Sequence, residues 1–297
     1  VFPTFAHLVG QELRIALRTR RLWLLLGVFM LAALVSAAAV TRMVEGIQAV
    51  VVEQMSTRGV DPTMAQEVLA RAWDDGVDEV MGLLGMDLAA IAGPLRRCPP
   101  VALFLWLGQL ALPLATLLLT APIFAAELGQ RSFCYVTLRY PRGLVALARL
   151  TAQWLSLVVA LGLAGLVFTG WLAWTLSPVH GPDALVALAF TTAMLSLSAL
   201  VWVGFAGLCS VMVRSTGAAL GVGVAGLLAI GIWRLAVAGM GLDASMSWLT
   251  WPVPGTWALE VWRSDPARWW GGVIALLVLG AALQGAAVRR FQTRDLA

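Results

Sequence analysis

The sequence predicts an all-α membrane protein: six transmembrane helices, an N-terminal amphipathic interfacial helix, and a helical extracytoplasmic loop between spans 1 and 2. Three observations predict it. First, 60% of the 297 residues are hydrophobic and only 12% are charged, whereas a soluble domain carries about 25% charged residues. Half that charge does not wet the surface of a soluble fold of this length. Second, apolar stretches of about 20 residues, the length that crosses a hydrocarbon core, recur along the chain between charged residues. Third, the charges between those stretches are sorted by side.

The elements follow in chain order, and residues 1–297 read as one transmembrane domain. In residues 1–20, Phe2, Phe5, Leu8, Val9, Leu13, Ala16 and Leu17 recur at helical spacing, while His7, Gln11, Arg14 and Arg18 take the other face. Such a helix lies in the interface, apolar side in lipid, with its Arg toward headgroups or a partner. Span 1, about 22–41, is bracketed by Arg21 and Arg42. Arg20-Arg21 before an apolar run also suits a secretory signal, but the run is long enough to span and follows a patterned helix.

The loop 42–97 is helical in pattern. Asp61-Pro62 forms an N-cap and first-turn pair, and Val68, Leu69, Ala72 and Trp73 continue a periodic face. Asp74, Asp75, Asp78 and Glu79 form an acidic cluster without the Gly and spacing of a calcium loop, which fits a solvated helix face. Spans 2 to 5 follow at about 101–125, 151–177, 184–212 and 215–238. The outer segment 239–268 holds Trp248, Trp251, Trp257 and Trp262 with Pro252, Pro254 and Pro266, and reads as short helices or re-entrant turns in an aromatic belt. Span 6, about 269–288, lies between Arg268 and Arg289.

Charge sets the orientation. With the N-terminus inside, the cytoplasmic pieces hold 12 Arg against 3 acids, and the outer pieces hold 7 Arg against 13 acids. The positive-inside rule then places both termini in the cytoplasm. Arg234, inside span 5, is the remaining base. A mid-bilayer Arg costs roughly 2.5–3.5 kcal/mol on insertion scales; this one either snorkels to the outer surface or touches a substrate.

Composition also excludes function classes. All 20 basic residues are Arg, so no P-loop is present, since its Lys must reach the nucleotide phosphates. His7 and His180 have no metal-ligand spacing, and Cys98, Cys134 and Cys209 are scattered, so neither a zinc site nor a disulfide framework is expected. The spans contain no His or acid for intramembrane catalysis. The net charge of +4, in so apolar a chain, points to a membrane rather than nucleic acid. The topology expects Cys98 to meet an impermeant thiol reagent outside and Cys134 inside.

The cytoplasmic loop between spans 2 and 3 is the most informative piece. Glu127 closes span 2, Arg131, Arg139, Arg142 and Arg149 follow, and Tyr140-Pro141 breaks the chain before span 3. A short helix fits between, a mechanical handle on both spans. Here the sequence resembles the membrane subunit of ABC-2-type transporters, a six-span permease family. In that family an acidic residue closes span 2, a short coupling helix carries Gly-Thr, and a Pro and a basic residue open span 3. Glu127, Ser132, Pro141 and Arg142 occupy those places, and the tail residues Phe291, Arg294, Asp295 and Leu296 resemble the family's ending. Two departures are Arg131 at the Gly position and a Pro141–Arg149 stretch about two residues short.

The resemblance covers nearly the whole chain and implies a division of labour. A separate cytoplasmic ATPase subunit binds ATP and Mg, and this chain holds no cofactor or metal and catalyses nothing itself. Two ATPase subunits would serve two permease copies (or homologues) in a bacterial inner membrane, driving export. Glu127, Gln130, Arg131, Ser132, Arg139, Tyr140, Pro141 and Arg142, with Arg14 and Arg18 of the N-terminal helix, would receive the ATPase stroke. Spans 2 and 5 would line the exit path at the permease dimer interface, with Arg234, Trp233 and Gly221 as path residues. A secondary transporter, which shows inverted repeats and intramembrane charges, and a non-transporting anchor or signalling subunit are the competing readings.

Overall fold

The computed structural model describes residues 2–18, 21–56, 93–96, 98–130, 139–175, 181–239, 253–261 and 263–294. The chain is an all-α membrane protein, and among the described residues six helices are long and apolar enough to span a bilayer. Helix α1 is Phe2–Arg18 and α2 is Arg21–Ser56. A single turn, α3 (Gly93–Arg96), precedes α4 (Pro99–Gln130). Then come α5 (Arg142–Thr175), α6 (Gly181–Met212) and α7 (Thr216–Gly239). A short α8 (Pro254–Glu260) and the long α9 (Pro266–Thr293) complete the order. The six spanning helices are α2, α4, α5, α6, α7 and α9. The Asp61-Pro62 pair, the acidic cluster at 74–79, Trp248, Trp251 and Trp262, and Arg131, Ser132 and Cys134 lie outside the described residues.

Several helices overrun the bounds drawn from charge. Helix α2 continues past Arg42 to Ser56, and α5 starts at Arg142 rather than near 151. A charge limits how deep a residue sits in lipid; it does not end a helix. Pro141 suits a helix start because the first amides have no partner to lose, and its carbonyl accepts from the Leu144 and Val145 amides at 3.0 and 3.2 Å. The 34 residues of α5, at about 1.5 Å each, exceed the roughly 30 Å hydrocarbon core. The helix is thus longer than the core is thick, and its N-terminal turns, from Leu144 to Leu155, form the platform for α1.

Helix α1 lays its apolar stripe on that platform. Leu8 and Val9 are buried against Ala148 and Ala152 of α5, ringed by Phe5, Leu13, Tyr140, Leu144 and Leu155. The expected face toward lipid is thus largely taken by the third span. Ile15 and Leu17 remain exposed, as do His7, Gln11, Arg14 and Arg18 on the polar face.

Helix α6 is the centre of the bundle and packs against α4, α5, α7 and α9. Of its most apolar stretch 56% is buried, against 11% for α7, which makes α7 the most lipid- or partner-facing span. Close approach needs small residues, because lipid tails supply no hydrophobic drive for helix association. Where α6 crosses α9, a Cβ on Gly204 would sit 2.9 Å from the Leu283 Cβ and 3.0 Å from the Gln284 amide nitrogen. Interhelical hydrogen bonds add to the packing. Gln109 Nε2 donates to Ser198 Oγ at 2.8 Å, Trp154 Nε1 to the Ser196 carbonyl at 2.8 Å, and Gln284 Nε2 to the Leu200 carbonyl at 3.3 Å. Each such bond in a membrane bundle contributes about 0.6–2 kcal/mol.

Candidate functional site

Two places concentrate chemistry: the end of the bundle that carries the chain's N-terminal helix, and a cavity in the opposite half.

At the first, α4 carries Pro122 inside the helix, and a proline has no amide to donate to the preceding turn. Two neighbours hold the backbone there. The fully buried Ser210 of α6 donates its hydroxyl to the Ala121 carbonyl at 2.6 Å and accepts from the Phe124 and Ala125 amides at 3.2 and 3.1 Å. Arg149 of α5 donates Nη1 to the Ile123 carbonyl at 3.3 Å. The Arg149 Nε lies 2.9 Å from a Glu12 carboxylate oxygen of α1, with the two side chains 6% and 19% exposed. Glu12, Arg149 and Ile123 thus form a continuous polar tie from α1 through α5 to α4. It meets α4 one turn before Glu127, near the end of the helix at Gln130.

The sequence-derived coupling residues distribute around this joint. Glu127 and Gln130 lie in the last turns of α4. Arg139, Pro141 and Arg142 are exposed, and Tyr140 is half-buried against the α1–α5 contact. Arg142 Nη1 donates to the Arg294 carbonyl at 3.1 Å. Arg14 and Arg18 stay exposed on α1 at the same end. The pairing of Glu12 with Arg149 was not legible, because no spacing rule joins positions so far apart in sequence.

Arg294 has a local task as well. Its Nη1 donates to the Val211 carbonyl, and to the Val213 carbonyl at 3.4 Å, so it caps the C-terminus of α6. A cation there satisfies orphan carbonyls and complements the helix dipole. Burial, then the neighbouring Arg214 and Arg290, push its pKa down.

Cys98 departs from the expected outward reactivity. It is buried in the main apolar core just after α3, and burial raises its thiol pKa to about 11 from 9.0. Two pKa units leave about 100-fold less thiolate, the reactive form. Maleimide labelling of Cys98 at pH 7.5 is expected to be at least about tenfold slower in folded than in denaturant-unfolded protein. Equal rates, read by mass spectrometry of the labelled peptide, would contradict the buried placement.

The cavity lies between α4, α6, α7 and α8 and has a volume of about 490 Å³. Trp106, Leu110, Trp202 and Ile230 give it apolar walls, and Gln109 and Arg234 are its polar groups. Gly255 of α8 approaches the Arg234 guanidinium so closely that a Cβ would sit 3.2 Å from Nη1. Of the three path residues taken from the sequence, Arg234 lines this cavity. Trp233 is 45% exposed on the neighbouring face, and Gly221 faces open space. The cavity itself was missed, because its walls come from helices far apart in the chain.

Among the described residues, no cluster of His, Cys, Asp and Glu is placed to hold a metal ion. The fold and these two places define a multi-pass helical membrane protein. No family model matches the chain, and no curated protein matches it either.

Proposed function

We propose that this chain is the membrane subunit of an ATP-driven ABC-2-type transporter. It resides in the bacterial inner membrane with both termini cytoplasmic, pairs with a second permease copy, and exports its cargo. A separate cytoplasmic ATPase supplies the nucleotide chemistry. The observation that carries the reading is the tie Glu12–Arg149–Ile123. It links the N-terminal helix to the second span just before the loop that the family resemblance assigns to ATPase contact. A push on that loop or on α1 then moves α1, α5 and α4 together rather than bending a loose segment. The exposed Arg14, Arg18, Arg139 and Arg142 at this end supply a cationic face for an acidic docking surface and suit the cytoplasmic side.

Charge reversal tests the handle. In the reconstituted complex, Arg139→Glu should leave the fold intact, because the side chain is exposed. ATP hydrolysis should then lose its stimulation by cargo. Unchanged stimulation would remove Arg139 from the coupling surface.

A further inference from the structure

We infer that the cavity between α4, α6, α7 and α8 is a binding site for an anionic amphiphile. Arg234 takes the anionic headgroup, and the Trp-lined wall takes the start of an acyl chain. Three observations carry this. The volume, about 490 Å³, falls in the range of roughly 300–1,000 Å³ that holds a small molecule. That size suits a headgroup with part of a chain, not a folded peptide. The walls are apolar, from Trp106, Trp202 and Ile230, and among the described residues the polar lining is Gln109 and Arg234. Gln109 is already engaged, donating to Ser198 at 2.8 Å. Among the described residues, Arg234 is the sole charged side chain lining the cavity, and no acidic side chain pairs with it. Arg234 is exposed three residues from the end of its span, within reach of a lipid headgroup, and a phosphate or carboxylate there gains charge-assisted, often bidentate, hydrogen bonds.

The recognition chemistry follows. A zwitterionic headgroup meets one cation with a compensating charge of its own, so it binds less tightly. A water-soluble anion lacks the chain that fills the apolar wall. Binding stands independently of ATP-driven transport; only the statement that the bound amphiphile is the cargo rests on the proposed function.

The test uses the purified full chain in uncharged detergent, without nucleotide or ATPase. It is mixed with equimolar phosphatidylglycerol and phosphatidylcholine, and retained lipid is read by native mass spectrometry. Wild type should keep phosphatidylglycerol in preference. Arg234→Gln should lower that preference roughly tenfold, the worth of about one charge-assisted hydrogen bond. Arg268→Gln, a change in an exposed pair with Asp265 at 3.7 Å, should leave it unchanged. Gly231→Leu should block both lipids, since Gly231 lines the cavity and has no heavy atom within 4 Å of its Cβ position. Glycerol phosphate at millimolar concentration should not displace the lipid. Wild-type selectivity in Arg234→Gln, lipid retention in Gly231→Leu, or full displacement by glycerol phosphate would overturn the assignment. Because no ATP is present, that failure is separate from any failure of the transport reading.

Discussion

Replacing Arg149 by Leu is expected to destabilise the protein by about 2–4 kcal/mol, between the cost of breaking an exposed ion pair and that of breaking a buried one. The change removes the 2.9 Å contact with the Glu12 carboxylate and the hydrogen bond to the Ile123 carbonyl. Helix α1 should then lift from α5. A cysteine introduced at Val9, which is buried in wild type, should become reactive in the Arg149→Leu background. The double variant Glu12→Leu, Arg149→Leu should recover much of the stability, because two apolar side chains replace a pair that was costly to desolvate. Yet it should not recover coupling, since the tie to α4 is gone. Denaturation in detergent micelles and the labelling rate of the Val9→Cys variant check both parts. A loss below about 1 kcal/mol in the single variant, the size seen for exposed pairs, would show that the pair is not buried in solution.

The second large effect is expected at the α6–α9 crossing. Gly204→Val puts a branched side chain where even a Cβ would lie 3.0 Å from the Gln284 backbone nitrogen. Backbone does not yield as a side-chain tip does, so the helices must separate. Overpacking of this kind costs about 1–3 kcal/mol, and here it also weakens the Gln284 to Leu200 hydrogen bond of 3.3 Å. Gly221→Val is the matched control. Nothing lies within 4 Å of its Cβ position, so the monomer should keep its melting temperature. Melting curves of the two variants side by side make the comparison, and equal losses would contradict the packing described.

The sequence was a good guide where one-dimensional signals suffice. Apolar runs of bilayer length located the six spans, and the i, i+3, i+4 pattern of Leu8, Val9 and Ala16 found the buried stripe of α1. It was a poor guide to ends. Arg42 and Arg149 look like boundaries, yet α2 and α5 run through them, because a helix outlasts the hydrocarbon when its next turns stand in water or against another helix. Three-dimensional pairings were hidden. Glu12 gives no sign in the sequence that it meets Arg149, and Ser210 reads as one more small polar residue in a span. Its role depends on a neighbouring helix, α4, beside the internal Pro122. Arg234 stood out in the sequence as a charge inside a span, but the other walls of the cavity it lines come from α4, α6 and α8. Trp233 and Gly221, one and thirteen positions from it along α7, fall on other sides of the helix.

The central claim is that this chain moves cargo with energy delivered by a separate ATPase. The most direct measurement is mild-detergent purification of the full chain from its native membrane, followed by subunit stoichiometry and ATP hydrolysis on the same sample. The account predicts an ATP-binding subunit in equal number to the membrane subunit, with hydrolysis that responds to an anionic amphiphile and loses that response in Arg139→Glu. A pure chain that transports cargo after reconstitution without ATP or a second subunit would contradict it.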